Sequence, residues 1–234
     1  MGSELNPSGE GARASPEVLA RLFRQIRIAT RREAAVFRAF RRRFGFEVAD
    51  AAGIDEKDFE ARERGENLEA LLGAEDVPVW LREALGRQVR SEAILLSHLL
   101  RRYGEEGWQV ARRAYREFGR ECGQDAQKRR PGGKTEDLLA ALEEDHLHGL
   151  PNQAPGFVLP CPGGFEVRRA HCPCQRAWDV LGAPAQSLCD LDGSWVDGFC
   201  MGFGAPVRHR TLARIVRGAN ECRDVFVNKR GASG

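Results

Sequence analysis

The stretch GLPNQAPGFVLPCPGG, residues 149–164, divides the chain into two parts with different sequence patterns. It holds four prolines and several glycines, which cannot continue a helix, and so it predicts a loop. Helical periodicity fills the sequence before it, whereas the sequence after it mixes strand-like and helical patterns. The fold class predicted is α+β, with an N-terminal helical region packed on a C-terminal module of antiparallel sheet plus helices.

The region before residue 76 predicts one long helix. Ser15 is a good N-cap and Pro16 suits the first helical position, after which apolar residues recur at helical spacing until Gly45. The polar stretch through residues 55–66 predicts a loop, followed by a short helical piece over residues 68–72. Residues 1–14 are rich in glycine, serine and polar residues and predict a disordered N-terminus.

Three further helices are predicted before the dividing loop. Their apolar stripes run from Pro78 to Gly104, from Trp108 to Gly123, and onward from a cap at Thr135. Residues 15–75 therefore form an N-terminal helical extension, and residues 76–230 form the main α+β domain.

The C-terminal part predicts strands and one helix. Phe165 to Ala170 alternates like a strand, and Pro184 to Phe203 reads as a helix despite its glycines. Val207 to Val216 and Val225 to Val227 predict a hairpin whose turn spans residues 217–221.

Charge and hydropathy exclude several classes of protein. The 36 basic residues nearly match the 34 acidic ones, and the net charge of +2 predicts no nucleic-acid partner. A dense basic run on the first helix is interpreted as a solvated face; it comprises Arg31, Arg32, Arg38, Arg41, Arg42 and Arg43.

No apolar run approaches the roughly 20 residues that span a bilayer, and the N-terminus lacks the pattern of a secretory signal. The sequence therefore predicts a cytoplasmic protein with no membrane partner. In that reducing compartment the seven cysteines are expected to be thiols. A homo-oligomer is left open.

Six of the seven cysteines follow residue 160, and four of them are candidates for a shared site: Cys172, Cys174, Cys189 and Cys222. The pair Cys172-Pro-Cys174 has one intervening residue, whereas structural zinc sites usually pair ligands across two to four. A zinc site built from the four cysteines stays open as an alternative, although no metal is expected.

Five short motifs follow one another in the second half of the chain: Cys174, Gly182-Ala183-Pro184, Cys189-x-x-Asp192, Arg210-Thr211-Leu212-Ala213 and Gly218-x-x-x-Cys222. Their order and spacing resemble the L-2-amino-thiazoline-4-carboxylic acid hydrolase-like family, over about residues 80–228. Two positions depart from that pattern. Ala219 replaces the usual acidic residue after the glycine, and Asp224 replaces the usual aromatic residue after the last cysteine.

A second similarity in spacing links the chain to the 4-vinyl reductase type of ligand-binding domain, in which three cysteines and a glutamate hold zinc. Cys189 and Cys222 match the first and last of those positions. The middle two are Thr211 and Arg214, which supply neither thiolate nor carboxylate. This resemblance implies two neighbouring cysteines without a full metal cage, beside a ligand pocket.

Together the resemblances imply a hydrolase that opens a small cyclic substrate bearing a carboxylate at a C–N or C–S bond, without a cofactor. Cys189 attacks the ring carbon, or Asp192 holds the attacking water; Cys222 or His209 then returns the proton. Arg214 or Arg210 favours a thiolate, and Arg210 is the expected partner of the substrate carboxylate. Cys174 and Thr211 complete the predicted substrate-binding residues. A non-catalytic small-molecule sensor is the alternative to an enzyme.

Overall fold

The computed structural model of the protein describes residues 15–53, 77–132, 134–146 and 157–228. The predicted disordered N-terminus, the loop and helical piece between residues 54 and 76, the boundary at residue 75 and the first part of the dividing loop lie outside these residues. Within them the fold is α+β, as predicted: helices fill the N-terminal half, and the C-terminal part combines helices with a four-stranded antiparallel sheet.

The first helix, α1, spans Pro16–Phe44 and begins and ends as predicted. The Ser15 hydroxyl accepts a hydrogen bond from the Val18 N–H, and Gly45 ends the helix with a φ of 89°. A short helix, α2, spans Glu47–Ala52. The apolar face of α1 packs against the long helix that follows.

That long helix, α3, spans Val77–Arg129 and is broken at Gly104, whose φ of 56° and ψ of −138° are not helical. The break agrees with the predicted end of a helix at Gly104. The predicted end at Gly123 is wrong, because the helix continues to Arg129. Gly123 instead lies against the backbone of Phe199, where no side chain would fit. Helix α4 spans Thr135–Asp145.

The C-terminal elements follow in the order β1 Phe157–Cys161, β2 Gly164–Arg169, α5 Gln175–Leu181, α6 Ala185–Phe203, β3 Val207–Ala213, a 3₁₀ turn Ile215–Arg217 and β4 Cys222–Asn228. The predicted strand and helix are therefore confirmed, and so is the hairpin, except that its first strand ends at Ala213 and not at Val216, because residues 215–217 form the 3₁₀ turn. The strands form one antiparallel sheet in the order β1-β2-β4-β3. Helix α5 was not predicted.

Strand β1 overturns part of the predicted loop over residues 149–164. It is an edge strand, and so Pro160 removes no hydrogen bond from the interior of the sheet. Proline was weighed as a helix breaker, whereas at an edge it is compatible with a strand.

Helix α6 makes its most extensive contact with α3 and also packs on β3, so it joins the helical part to the sheet. Trp195, Phe199 and Phe203 of α6 are fully buried in the apolar core. None of the helices in the described part of the chain is long and apolar enough to cross a membrane.

Candidate functional site

Helix α6 brings Cys189 and Asp192 to one cavity, because residues three apart lie on the same face of a helix. This main cavity has a volume of about 70 Å³. It is lined by residues of α1, α3, α5 and α6 and by His146, Arg169, residues 171–174, Arg214 and Cys222. This volume is about half of the roughly 150 Å³ of an engineered apolar cavity that binds benzene. A ring with a carboxylate therefore enters only if side chains at the mouth move.

Four free thiols line the main cavity: Cys172, Cys174, Cys189 and Cys222. Burial raises the pKa of Cys189 to about 12 and also raises the pKa values of Cys172 and Cys174. These three residues are therefore neutral thiols at pH 7. A neutral thiol is a weak nucleophile and retains a proton that it can donate.

Arg214 was expected to lower the pKa of Cys189 enough to favour a thiolate, but its effect on that pKa is too small to do so. Its positive charge lowers the pKa of Cys189, while the larger effect of burial raises it. The guanidinium is held elsewhere, since Nη1 and Nη2 donate to Asp224 at 2.8 and 2.7 Å. The expectation of a thiolate favoured by a nearby arginine is therefore not met at Cys189.

Asp192 is an ionised carboxylate in this cavity. Burial acts to raise its pKa, but the opposing effects of His146, Arg32 and Arg214 hold that pKa well below its ordinary value. His146 Nε2 lies 3.0 Å from both oxygens, and Arg32 Nη1 lies 3.6 Å from Oδ1. A third of the Asp192 side chain is exposed, so the carboxylate can reach a ligand.

A buried network from α1 and α3 lies behind Asp192. Arg32 donates from Nε and Nη2 to the two oxygens of Glu92 at 2.8 Å each, and the Tyr115 hydroxyl donates to Glu92 at 2.7 Å. The Arg32 guanidinium also lies over the Tyr115 ring. These contacts fix the arginine that faces Asp192.

The interpretation of the basic run as a solvated face is wrong for Arg32, which is only 7% exposed. It turns inward because the buried Glu92 offers it a bidentate partner. The prediction of exposure is confirmed for Arg31, Arg38, Arg42 and Arg43.

On the sheet side of the cavity, Asp224 is a buried acceptor shared by several donors. It receives hydrogen bonds from Arg169 at 3.1 Å, His209 at 2.8 Å and Thr211 at 3.2 Å, in addition to those from Arg214. Burial acts to raise the pKa of Asp224, but His209 and Arg214 hold it well below its usual range. One negative charge thus faces two arginines.

The remaining predicted residues line a second cavity, of about 270 Å³, on the other side of Cys189. His209, Arg210 and Thr211 of β3 contribute to it, and Arg210 is exposed. The main cavity therefore brings together Cys174, Cys189, Asp192, Arg214 and Cys222, and it does not include His209, Arg210 or Thr211. Of the residues that the structure describes, only Cys189 lines both cavities.

The raised pKa of His209 is expected to make the stability of the protein depend on pH. Burial acts to lower its pKa, but hydrogen bonds to Asp197 and Asp224, each 2.8 Å, raise it above its ordinary value. Its stabilisation is complete below about pH 6.5, the unfolded pKa, and is lost as the pH rises through the higher folded pKa.

We therefore expect the urea midpoint of the wild type to fall more between pH 6 and pH 9 than that of His209→Gln. Comparing the two pH slopes removes the constant cost of the substitution. Equal slopes would show that His209 is not charged in the folded protein.

Within the described ranges, no group of three or more His, Cys, Asp or Glu side chains is arranged to hold a metal ion. The four thiols share a cavity lining without forming such a cage. The zinc alternative therefore has no geometric support in this part of the chain.

Sequence reasoning missed the side chains that the helices and the sheet add to the site: Arg32, Glu92, Tyr115, His146, Arg169 and Asp224. A signal existed for Arg32, which falls between Ala29 and Val36 on the apolar stripe of α1. A charged residue on a buried stripe needs a buried partner.

Comparison of the chain with profiles of known families, with curated proteins and with solved structures gives no match in any of the three. The family resemblances described above therefore stay predictions, and the function is argued from the geometry of the main cavity.

Proposed function

We propose that the protein is a hydrolase that opens a small cyclic, carboxylate-bearing substrate similar to 2-amino-thiazoline-4-carboxylate, at a C–N or C–S bond. The observation that carries the proposal is one cavity lined by Cys189, Asp192 and Cys222 together with arginines. It contains a carboxylate that can act as a base, thiols that can donate protons, and cations that suit an anionic substrate.

The substrate carboxylate is assigned to Arg169. This side chain lines the main cavity and gives a single hydrogen bond to Asp224, which Arg214 already contacts through two nitrogens. Among the described residues, the other guanidinium nitrogens of Arg169 have no carboxylate partner. An arginine of this kind can form a fork on a ligand carboxylate.

Asp192 is the base in this proposal. Its carboxylate is ionised, held by His146 and more exposed than that of Glu92, whose side chain is 11% exposed. Water loses a proton to Asp192 as its oxygen bonds to the ring carbon between nitrogen and sulfur. The bond from that carbon to sulfur or to the ring nitrogen then breaks.

Cys189 is the proton donor in this proposal. A pKa of about 12 leaves roughly one thiolate in 10⁵ at pH 7, which disfavours direct attack by sulfur. The neutral thiol instead gives its proton to a departing ring nitrogen, which is more basic than the Cys189 thiolate, and recovers one from Asp192 through solvent. A departing sulfur is less basic than that thiolate and takes its proton from Asp192. Cys222, whose Sγ accepts from the Ile215 N–H at 3.4 Å, also lines the cavity.

The proposed assignment replaces Arg210, the carboxylate partner expected from the sequence, with Arg169. Arg169→Gln is expected to raise KM for a carboxylate substrate about 10- to 100-fold, the cost of a lost charge-assisted pair. Arg210→Gln, a substitution that lies in the second cavity, is expected to leave KM for the same substrate nearly unchanged.

The amide analogue of the substrate is the control, since it lacks the charge that Arg169 binds. If Arg169→Gln weakens both ligands equally, the residue has a structural role only. A KM effect confined to Arg210→Gln would move the carboxylate to the second cavity.

A substrate panel tests the proposal and its alternative, a non-catalytic small-molecule sensor, which the apolar lining of the cavity also suits. The protein is incubated with 2-amino-thiazoline carboxylates and related heterocycles, and products are sought by mass gain of one water. Saturable binding without conversion of any compound would favour the sensor.

The free thiols suit a reducing compartment, and we propose a cytoplasmic location.

A further inference from the structure

A groove rich in arginine lies apart from the main cavity. It has a volume of about 510 Å³, between α1 and the ends of α3 and α4. Its cationic side chains are Arg24, Arg27, Arg31 and Arg129, and we call it the arginine groove. In the described part of the chain it shares no lining residue with the main cavity, so the inference is independent of the proposed function.

The helix geometry concentrates positive charge in this groove. Arg24, Arg27 and Arg31 are spaced by three and four residues, which places them on one face of α1. Asp145 is bound by Arg24 at 2.5 Å and by Arg129 at 2.7 Å, so both of its oxygens are used.

The other acidic side chain of the groove, that of Asp125, also forms an ion pair. Asp125 pairs with Lys128 at 2.9 Å. Arg27 and Arg31 have no ion pair among the described residues, and Arg31 lies over the ring of Phe118. Among the described groove residues, four arginines thus face two aspartates, and Asp125 acts on Arg31 without an ion pair. The groove keeps an excess of positive charge, and a concave surface concentrates its field.

Part of the groove lining is apolar. Phe23, Ile28 and Cys122 line the groove and are buried, and Ala20 adds a further apolar group. Cations beside an apolar lining suit a ligand with an anionic head and an apolar body. Guanidinium groups bind phosphate through paired hydrogen bonds, which favours a phosphate as the head.

We propose that the arginine groove binds a small organic phosphate, with the phosphoryl group at Arg27 and Arg31 and the organic part on Phe23 and Ile28. Phenyl phosphate is the probe, and isothermal titration calorimetry of the full chain at low ionic strength is the measurement. Inorganic phosphate tests the contribution of the apolar part of the lining, and it should bind more weakly.

A double variant, Arg27→Gln with Arg31→Gln, is expected to weaken phenyl phosphate binding about tenfold or more. The matched control is Arg21→Gln with Arg42→Gln, which removes the same charge from exposed positions of the same helix and should bind like the wild type. Both altered pairs are exposed, and thermal melting checks that each variant is folded.

Three results would overturn the proposal. One is the absence of saturable binding of phenyl phosphate to the wild type. Another is an equal loss in the two double variants, which would indicate general charge attraction. The last is binding of a short nucleic acid duplex but not of phenyl phosphate, which would make the groove a polyanion surface.

Discussion

Replacing Gly202 with alanine is expected to destabilise the protein by about 2–4 kcal/mol. A Cβ atom at this position would lie 1.9 Å from the carbonyl oxygen of Arg120 on α3. The obstacle is backbone within a helix and cannot rotate away as a side chain can. The greater helix propensity of alanine, about 0.5–1 kcal/mol, offsets only part of this cost.

The contact around Gly202 is reciprocal. Gly198 and Gly202 of α6 lie against the backbone of α3, and Gly119 and Gly123 of α3 lie against the backbone of α6. Glycines four residues apart on both helices allow this close approach. Because α6 also carries the candidate site, the contact fixes the site relative to α3.

Urea denaturation measures the effect, and Gly86→Ala is the matched control. Gly86 also lies within α3, but the atoms nearest to a Cβ there belong to the flexible side chain of Arg90. We expect the control to be as stable as the wild type or slightly more stable. A Gly202→Ala protein with unchanged stability would show that the two helices do not approach this closely.

Asp192→Asn is expected to lower kcat for ring opening by about 10²-fold, the lower end of the usual contribution of a general base, because the low pKa of Asp192 makes it a weak base. The amide keeps the shape of the carboxylate but cannot accept a proton from water. His146 and Arg32 would still surround it, so the folded protein should persist. Steady-state kinetics on the thiazoline carboxylate provide the measurement.

Asp190→Asn is the control for this substitution. Asp190 lies on the same helix, pairs with Arg217 at 2.6 Å and lines the second cavity instead of the main one. Its kcat should stay within a few-fold of the wild type. The reverse pattern, with Asp190→Asn inactive and Asp192→Asn active, would move the reaction to the second cavity.

The helices and the hairpin could be predicted because their signals are local. Ser15, Pro16 and Gly45 mark the two ends of α1 whatever the helix packs against. Gly123 misled the prediction, since a glycine that ends a helix and one that allows close packing look alike in sequence. Only the position of α6 distinguishes them.

The site was predictable where its residues share one element. Cys189 and Asp192 lie together because of helical spacing alone. The partners of Asp192 come from α1 and from the residue after α4, far away in sequence, and periodicity carries no information about such contacts. His209 and Arg210 were placed by motif order, which does not say which side of Cys189 they face.

Hydrolysis in the main cavity is tested most directly by incubating the wild-type protein with 2-amino-thiazoline-4-carboxylate in ¹⁸O-labelled water. Mass spectrometry then follows both the small molecule and the intact protein. We predict a ring-opened product that carries one labelled oxygen and a protein whose mass never changes. Unchanged substrate would contradict the proposed activity, and an adduct on Cys189 would contradict attack by water held at Asp192.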